Sequence, residues 1–543
     1  MKKILIFILL FLLILPATWS LFRPGFFASD DGEWMVIRLS DFHRSFVSGQ
    51  IPVRWAVRLN HNYGYPVFNF LYPLSFYMGE VFHLLGFSFV NAIKLVFIFS
   101  FFLSGFLMYL FGRKLWGKWG GLVAAIFYVY APYRFLDVYV RGSIGEAVSF
   151  VFAPLIFLAI YGLSQKQSRV LITLGAVGVA GMIVSHNIMA MLFIPVALFY
   201  AGWLIWQSKD KRPLVMNYGI LFLLGLSLSC FFWLPALYDK QFTILDQVTV
   251  ANFWEHFPSL KQLLIPSWGY GPSVTGTTDQ ASYQIGLIHL LVVGLALFVL
   301  IKSWAKNTLV RNQILFFVAV FLIAIFLMLP LSTPIWQIAP FLWRTQFPWR
   351  LLALSTFSSS VLSGAAIKNL KAKQKIKAAI LLLTLVILAN FSYAKPASFV
   401  NRPESFYTTN EATTTVKDEY MPIWVKEKPF KRAEEKVEIL AGEDKIEALF
   451  FNSKKTTFKL EGKIETEVQV NTVYFPGWQA KIDGQLAPIN FQNEKGLIRL
   501  KIPSGNHQVL VVFKETPLRL VADIVSIFGL LVIIGWLVKI KKK

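Results

Sequence analysis

The run Ser29-Asp30-Asp31-Gly32-Glu33, followed at once by Trp34 and Met35, decides how this chain is read. Downstream of it Met35, Leu39, Phe42 and Phe46 recur at helical spacing, with Arg38, Asp41, Ser45 and Ser48 on the other side. That pattern predicts a helix lying on a membrane surface, ended by Gly49 and Pro52. Asp30 and Glu33 have the spacing of a capping box for it, whereas a simple cap does not require Asp31. Beyond the helix come Arg54, Trp55, Arg58 and the polar, aromatic run Asn60-His61-Asn62-Tyr63-Gly64-Tyr65-Pro66. Carboxylates this close to hydrocarbon are costly and tend to be functional.

The surroundings are a membrane protein. Of 543 residues 56% are hydrophobic and 15% charged, too little polar material to cover the surface of a soluble chain. About 20 residues cross ~30 Å of hydrocarbon. Twelve apolar stretches fit, near 4–22, 90–112, 119–135, 146–164, 169–185, 187–206, 214–237, 284–302, 313–330, 349–367, 376–394 and 518–538. A further stretch, 66–86, is read as a helix in the interface. With that reading the basic loops 113–118, 166–169, 209–212, 302–311, 368–377 and 539–543 all lie with the N-terminus. Together they carry 22 Lys and Arg against one acid, Asp210, which is +21 of the net +23. Lys and Arg mark the cytoplasmic side, so both termini are expected in the cytoplasm of a plasma-membrane protein. The charge is thus an orientation signal and gives no footprint for nucleic acid. The first stretch lacks a small-x-small pattern after Pro16 and reads as an uncleaved anchor. Cys230 stands alone and forms no internal disulfide.

Composition changes at Lys395. Thr457–Leu460, Glu467–Phe475, Gln479–Ile482, Leu497–Ile502 and Gln508–Phe513 alternate as strands do, and Asp483-Gly484 is a hairpin turn. The expected organisation is a membrane module over 1–394, an extracytoplasmic β-sandwich over 395–517, and a last membrane helix with a basic tail over 518–543.

From residue 1 to 403 only twelve acids occur, and eleven fall on or near the outer side, among them Asp30, Asp31, Asp137, Glu146 and Asp279. Asp137, Arg141 and Glu146 either pair with one another or serve chemistry. Arg344 and Arg350, among Trp343, Phe347, Pro348 and Trp349, are either interfacial anchors or anion ligands. His186, between two spans, is either a polar loop residue or a ligand. Other signals fail. Gly112-x-x-x-x-Gly117-Lys118 is followed by Trp119 rather than Ser or Thr. The seven His show no zinc spacing, and no nucleophile elbow is present.

Nucleotide-activated donors are not expected outside the cell, so an enzyme there draws on a lipid carrier. A polyprenyl phosphate suits the layout, its phosphate meeting Arg141, Arg344 or Arg350 and its tail lying between helices. Glycosyl transfer then needs a carboxylate base and a cation for the departing phosphate. A lipid or glycolipid transporter, with acids near the midplane, and a non-catalytic cell-envelope scaffold are the alternatives.

The acidic pair, the surface helix, Gly49-x-x-Pro52-x-Arg54-Trp55 and Tyr63-Gly64-Tyr65-Pro66-Val67-Phe68 resemble the GT-C superfamily of membrane glycosyltransferases. More narrowly the chain is similar to the YfhO-like and "6-pyruvoyl-tetrahydropterin synthase-related" bacterial membrane proteins, through Asp137–Pro154, Ser185-His186-Asn187, Phe232-Trp233-Leu234-Pro235 and Phe347-Pro348-Trp349-Arg350. Tyr474-Phe475-Pro476-Gly477-Trp478 continues the likeness into the C-terminal region. The resemblance implies a polytopic α-helical GT-C-like fold of about 12 transmembrane helices with outer juxtamembrane helices. It implies a catalytic Asp at Asp31 or Asp30; the residues expected at the donor phosphate remain Arg141, Arg344 and Arg350, with His186. It also implies Asp137 and Glu146 as ligands of a divalent metal (Mg or Mn) or as electrostatic partners, and no nucleotide cofactor. The reaction implied is inverting transfer from a polyprenyl-phosphate-linked sugar to a glycan, lipid or protein acceptor in the cell envelope.

Overall fold

The computed structural model describes residues 2–248, 251–276, 280–303, 308–442 and 445–541. Asp279, Lys306 and the last two lysines of the basic tail lie outside them.

The apolar stretches form helices whose ends follow local chemistry. Ser88 caps Phe89–Trp116 by accepting from the Asn91 N–H, and Ser168 caps Arg169–Ser185 through Leu171. Gly117, at φ +86°, turns the chain between Phe89–Trp116 and Lys118–Val129. Seven described helices are long and apolar enough to cross a membrane on their own. Two bent pairs, Lys118–Val129 with Pro132–Val140 (44°) and Arg212–Leu228 with Cys230–Phe242 (66°), bring the number to nine. Arg169–Ser185 and Leu287–Lys302 are shorter apolar helices. The stretch near 349–367 yields the helix Leu352–Ala366, rich in buried serines and packed inside the bundle. The chain is a multi-pass helical membrane protein.

The first bend positions the site. Pro132 lacks the N–H that would continue the helix, and the Tyr130 carbonyl is taken up by Asn390 Nδ2 at 2.9 Å. Past Leu136 the turn widens, so that the Arg141 N–H reaches the Leu136 carbonyl at 3.0 Å.

Residues 66–86 contain a single 3-10 turn, Val67–Asn69, and one short α-helix, Pro73–Leu84. At ~1.5 Å per residue it is far shorter than a bilayer core. It packs on Gly32–Val47, where Gly79 lies against Leu39. That second helix ends at Gly49 (φ +87°), as its sequence predicts. The expected polar, exposed face is a different matter: Arg38, Asp41 and Ser45 are buried. Thr414 accepts from Arg38, Tyr407 and Thr408 carbonyls accept from Arg58, and the Trp55 carbonyl accepts from Ser45. Helix periodicity sees only neighbours on the helix itself, and this face is covered by later chain, from Trp55 and Arg58 over Ser45 and Asp41 to Thr414, more than 300 residues away, over Arg38.

Strands β1 (Phe26–Phe27) and β2 (Phe399–Val400) pair antiparallel and tie the first loop to the start of the C-terminal region. Then follow β3 (Val437–Ala441), β4 (Lys445–Phe451), β5 (Lys455–Gly462), β6 (Thr466–Val473), β7 (Trp478–Ile482), β8 (Gln485–Ala487), β9 (Leu497–Ile502) and β10 (Gly505–Phe513). They make a five-stranded sheet, β4-β5-β10-β7-β8, and a three-stranded sheet, β3-β6-β9. Asp483 and Gly484, both at positive φ, form the β7–β8 turn, as two-residue hairpins with matching twist require.

The core of this β-domain includes three residues of the first loop. Trp55, Tyr63 and Phe70 pack among Phe475, Trp478, Val509 and Phe513, and the Val473 N–H donates to the Tyr63 carbonyl at 2.8 Å. Gly64 allows this approach, since a Cβ there would stand 2.3 Å from the Trp55 ring. Arg54 pairs with Glu515 (2.8 Å) and Asp523 (3.1 Å), and Arg519 with Asp239 (2.8 Å), which fixes the last helix to the bundle.

Candidate active site

Two loops are stitched together by backbone. The N–H groups of Asp30 and Asp31 donate to the carbonyls of Val140 (3.0 Å) and Arg141 (2.8 Å). Gly142 makes room for this contact: its φ is +66°, and a Cβ there would fall 2.6 Å from the Gly32 nitrogen.

Asp31 is the N-cap residue of Gly32–Val47, yet its carboxylate makes no cap hydrogen bond. Glu33 accepts instead from Arg402 Nε and the Tyr407 hydroxyl, both at 3.0 Å. The capping box that the spacing suggested is therefore not formed. Among the described residues no hydrogen bond reaches the Asp30 or Asp31 carboxylate, and both line a cavity of about 700 Å³. The enclosing walls first, then the charge of Asp31, hold the Asp30 carboxyl above its ordinary range, against the pull of Arg141.

The same cavity is lined by Arg141, His186 and Arg350. Arg141 donates from Nη1 to Asp137 Oδ1 and from Nη2 to Glu146 Oε1, each at 2.8 Å, and its guanidinium lies 4.8 Å from the centre of the Trp349 ring. Arg350 Nε is 3.1 Å from the same Glu146 oxygen, while its Nη1 donates to the Thr345 carbonyl and to Gln346. One fully buried carboxylate thus bridges two guanidiniums, and the Tyr133 hydroxyl donates to its other oxygen at 2.8 Å. His186 Nδ1 accepts from the Met189 N–H, which leaves the proton of a neutral ring on Nε2. Burial first, and the Arg350 and Arg141 charges with it, push the imidazole down to about 3 despite Glu146.

Of the residues singled out from sequence, Asp30, Asp31, Arg141, His186 and Arg350 meet at one cavity, with Asp137 and Glu146 buried directly behind it. Arg344 does not join them. It is exposed, because the turn through Gln346 (φ +66°) separates it from Arg350. Asp137 and Glu146 do not fit a divalent metal. Three of their four oxygens are taken by guanidinium and phenol donors, which leaves Asp137 Oδ2 alone without one among the described residues, and no group of three His, Cys, Asp or Glu suited to a metal occurs among those residues. The alternative reading, mutual pairing around Arg141, is what the geometry forms.

Sequence reasoning did not place Arg38, Tyr72, Thr413–Thr415, Glu419 and Tyr420, which also line the cavity. Arg38 stood in plain view on the polar face of its helix. The 412–420 segment carries no local signal.

The sequence model of a family described as "6-pyruvoyl-tetrahydropterin synthase related domain; membrane protein" matches residues 68–395. An uncharacterised protein of Lactococcus lactis subsp. cremoris is 23% identical over 258 residues, which is 46% of this chain and 42% of that protein. The chain therefore spans less than half of that relative. Among solved structures, the mycobacterial arabinofuranosyltransferase AftD superposes with a TM-score of 0.50 at 16% identity, over 73% of this chain and 27% of AftD. The Archaeoglobus fulgidus oligosaccharyltransferase gives 0.47 at 11% identity, over 76% of this chain and 56% of its own. The AftD likeness is one of fold, the GT-C type.

Proposed function

The chain belongs to the membrane-protein family described as 6-pyruvoyl-tetrahydropterin synthase related, and from that premise we propose that it transfers a sugar from a polyprenyl phosphate to a cell-envelope acceptor. One observation carries this reading. Two carboxylates that accept no hydrogen bond among the described residues share a cavity with two guanidiniums held by one buried glutamate.

In the proposed step the acceptor hydroxyl gives its proton to Asp31. Its oxygen bonds to the anomeric carbon as the bond from that carbon to the phosphate oxygen breaks. The electron pair leaves with the polyprenyl phosphate, whose added charge meets Arg141, Arg350 and the Nε2–H of His186. Attack and departure on opposite faces invert the anomeric centre. Asp30 adds a second carboxylate beside the base, and Asp137 and Glu146 aim the guanidiniums. The isoprenoid lies between helices, each buried CH₂ contributing ~0.8 kcal/mol. The cavity faces the outer side of the membrane, with both termini in the cytoplasm.

The test is transfer from polyprenyl-phosphate sugars by the purified chain. Asp31→Asn should lower the rate by about 10²–10⁴-fold with unchanged expression and thermal unfolding. Undiminished product would end the assignment. A second reading, a lipid transporter, draws on the two bent helix pairs. Lipid scrambling in vesicles by the Asp31→Asn chain, without any transfer by the unmodified one, would favour it.

A further inference from the structure

Arg38 is a buried cation that the transfer step leaves unused. It is 6% exposed and lines the cavity, yet no carboxylate lies within ion-pair distance of it among the described residues. Its Nε donates to Thr414 Oγ1 at 2.9 Å, its Nη2 to the Thr414 carbonyl, and its Nη1 contacts Met35 Sδ at 3.6 Å. All three partners are neutral. A guanidinium has more N–H groups than these, and burying a charge without an opposite one is expensive. Arg141 and Arg350, by contrast, are each compensated by Glu146.

Beside it stands a second idle donor. The Tyr72 hydroxyl makes no hydrogen bond within the chain among the described residues, and it too lines the cavity. Burial holds its phenol well above the ordinary range, with Arg38 the leading charge acting on it. Tyr72 therefore stays protonated and presents an O–H. Its ring lies 4.9 Å from that of His186, so this donor pair borders the phosphate ligands without being one of them.

We infer that Arg38 and Tyr72 form a subsite for an acidic group, a carboxylate or a phosphoryl, carried on a sugar of the substrate. The inference rests on reading the cavity as a sugar-transfer site and adds that the sugar handled is anionic. Arg38 supplies the fork that such oxygens accept from, and Tyr72 adds one neutral donor. Thr414 holds the fork in place from the roof of the cavity.

The test is ligand-observed NMR on the full chain in nanodiscs, with methyl β-glucuronide, glucose 6-phosphate and methyl β-glucoside as probes. At least one anionic probe should bind about tenfold or more tightly than the neutral glucoside, and which one does so tells carboxylate from phosphoryl. Arg38→Gln should erase that preference. Thr414→Val, which loses the hydroxyl holding the fork but keeps the charge, should retain most of it. Equal binding of all three probes overturns the inference. So does a preference that survives Arg38→Gln and disappears in Arg350→Gln, because the probe then occupies the phosphate ligands. The readout is binding, so it stays decidable if Asp31→Asn proves to transfer normally.

Discussion

The backbone N–H of Asp31 donates to the carbonyl of Arg141 across 2.8 Å. The proposed base and the proposed phosphate ligand are thereby set by one peptide-to-peptide contact rather than by their side chains. Gly142 licenses the approach, as its φ of +66° and its distance to Gly32 show. Gly142→Val should cost ~1–3 kcal/mol for the strained backbone alone and push the loops apart. A displacement of about 1 Å between reacting groups costs on the order of 10²-fold in rate. Transfer assays with thermal unfolding in detergent check both, and a fully active Gly142→Val chain would refute the registry argument.

Glu146 bridges Arg141 and Arg350. Glu146→Gln leaves two buried guanidiniums short of a charge, a change that typically costs about 3–5 kcal/mol. A lowered unfolding midpoint and a raised KM for the donor are expected together. If Glu146 held a metal instead, the loss would vary with added Mg or Mn. Titrating metal into the variant separates the two.

Trp55 is the anchor of the β-domain on the first loop. It meets Trp478 edge-on at 5.6 Å between ring centres and lies 5.7 Å from Phe513. Trp55→Ala removes a large buried side chain at about 3–5 kcal/mol. Limited proteolysis should then cut between the bundle and β3 well before it cuts the unmodified chain.

The helical part of the fold was legible because each element is decided locally. Apolar runs of span length became helices, and the short Pro73–Leu84 appeared where charge parity had already refused a crossing. In the β-domain, alternation marked β5, β6, β7, β9 and β10. It missed β3, of which only Val437 is buried, β4, which is exposed along most of its length and broken by Ala448 at φ +50°, and the three-residue β8. The site was half legible for a related reason: Asp30, Asp31, Arg141, His186 and Arg350 stand out as polar residues in an apolar sequence. The roles of Arg54, Trp55 and Tyr63 did not show. These residues serve docking, and their partners are distant in sequence, as in the bond from Lys454 to the Gly49 carbonyl, 405 residues apart.

The β7–β8 turn contains a pH-dependent contact. His507 Nδ1 lies 2.6 Å from Asp483 Oδ2, and the Gln508 N–H donates to Asp483 Oδ1 at 2.8 Å. The bond to Asp483 raises the His507 imidazole above its usual 6.5. The same bond, and then the Gln508 N–H, lower the Asp483 carboxyl below its usual 3.8. A raised histidine stabilises below the unfolded value and loses that contribution as pH rises through the folded one. A lowered carboxylate stabilises above its unfolded value and loses that contribution as pH falls through the folded one. The pair therefore works between about pH 4 and 6.5 and fades above. Both groups are solvated, so the effect is small and weakens with salt. Hydrogen exchange of the hairpin amides in the full chain should be slower at pH 5.5 than at pH 8, after correction for the intrinsic rate. His507→Gln should abolish the difference, and an unchanged difference in that variant would place the titration elsewhere.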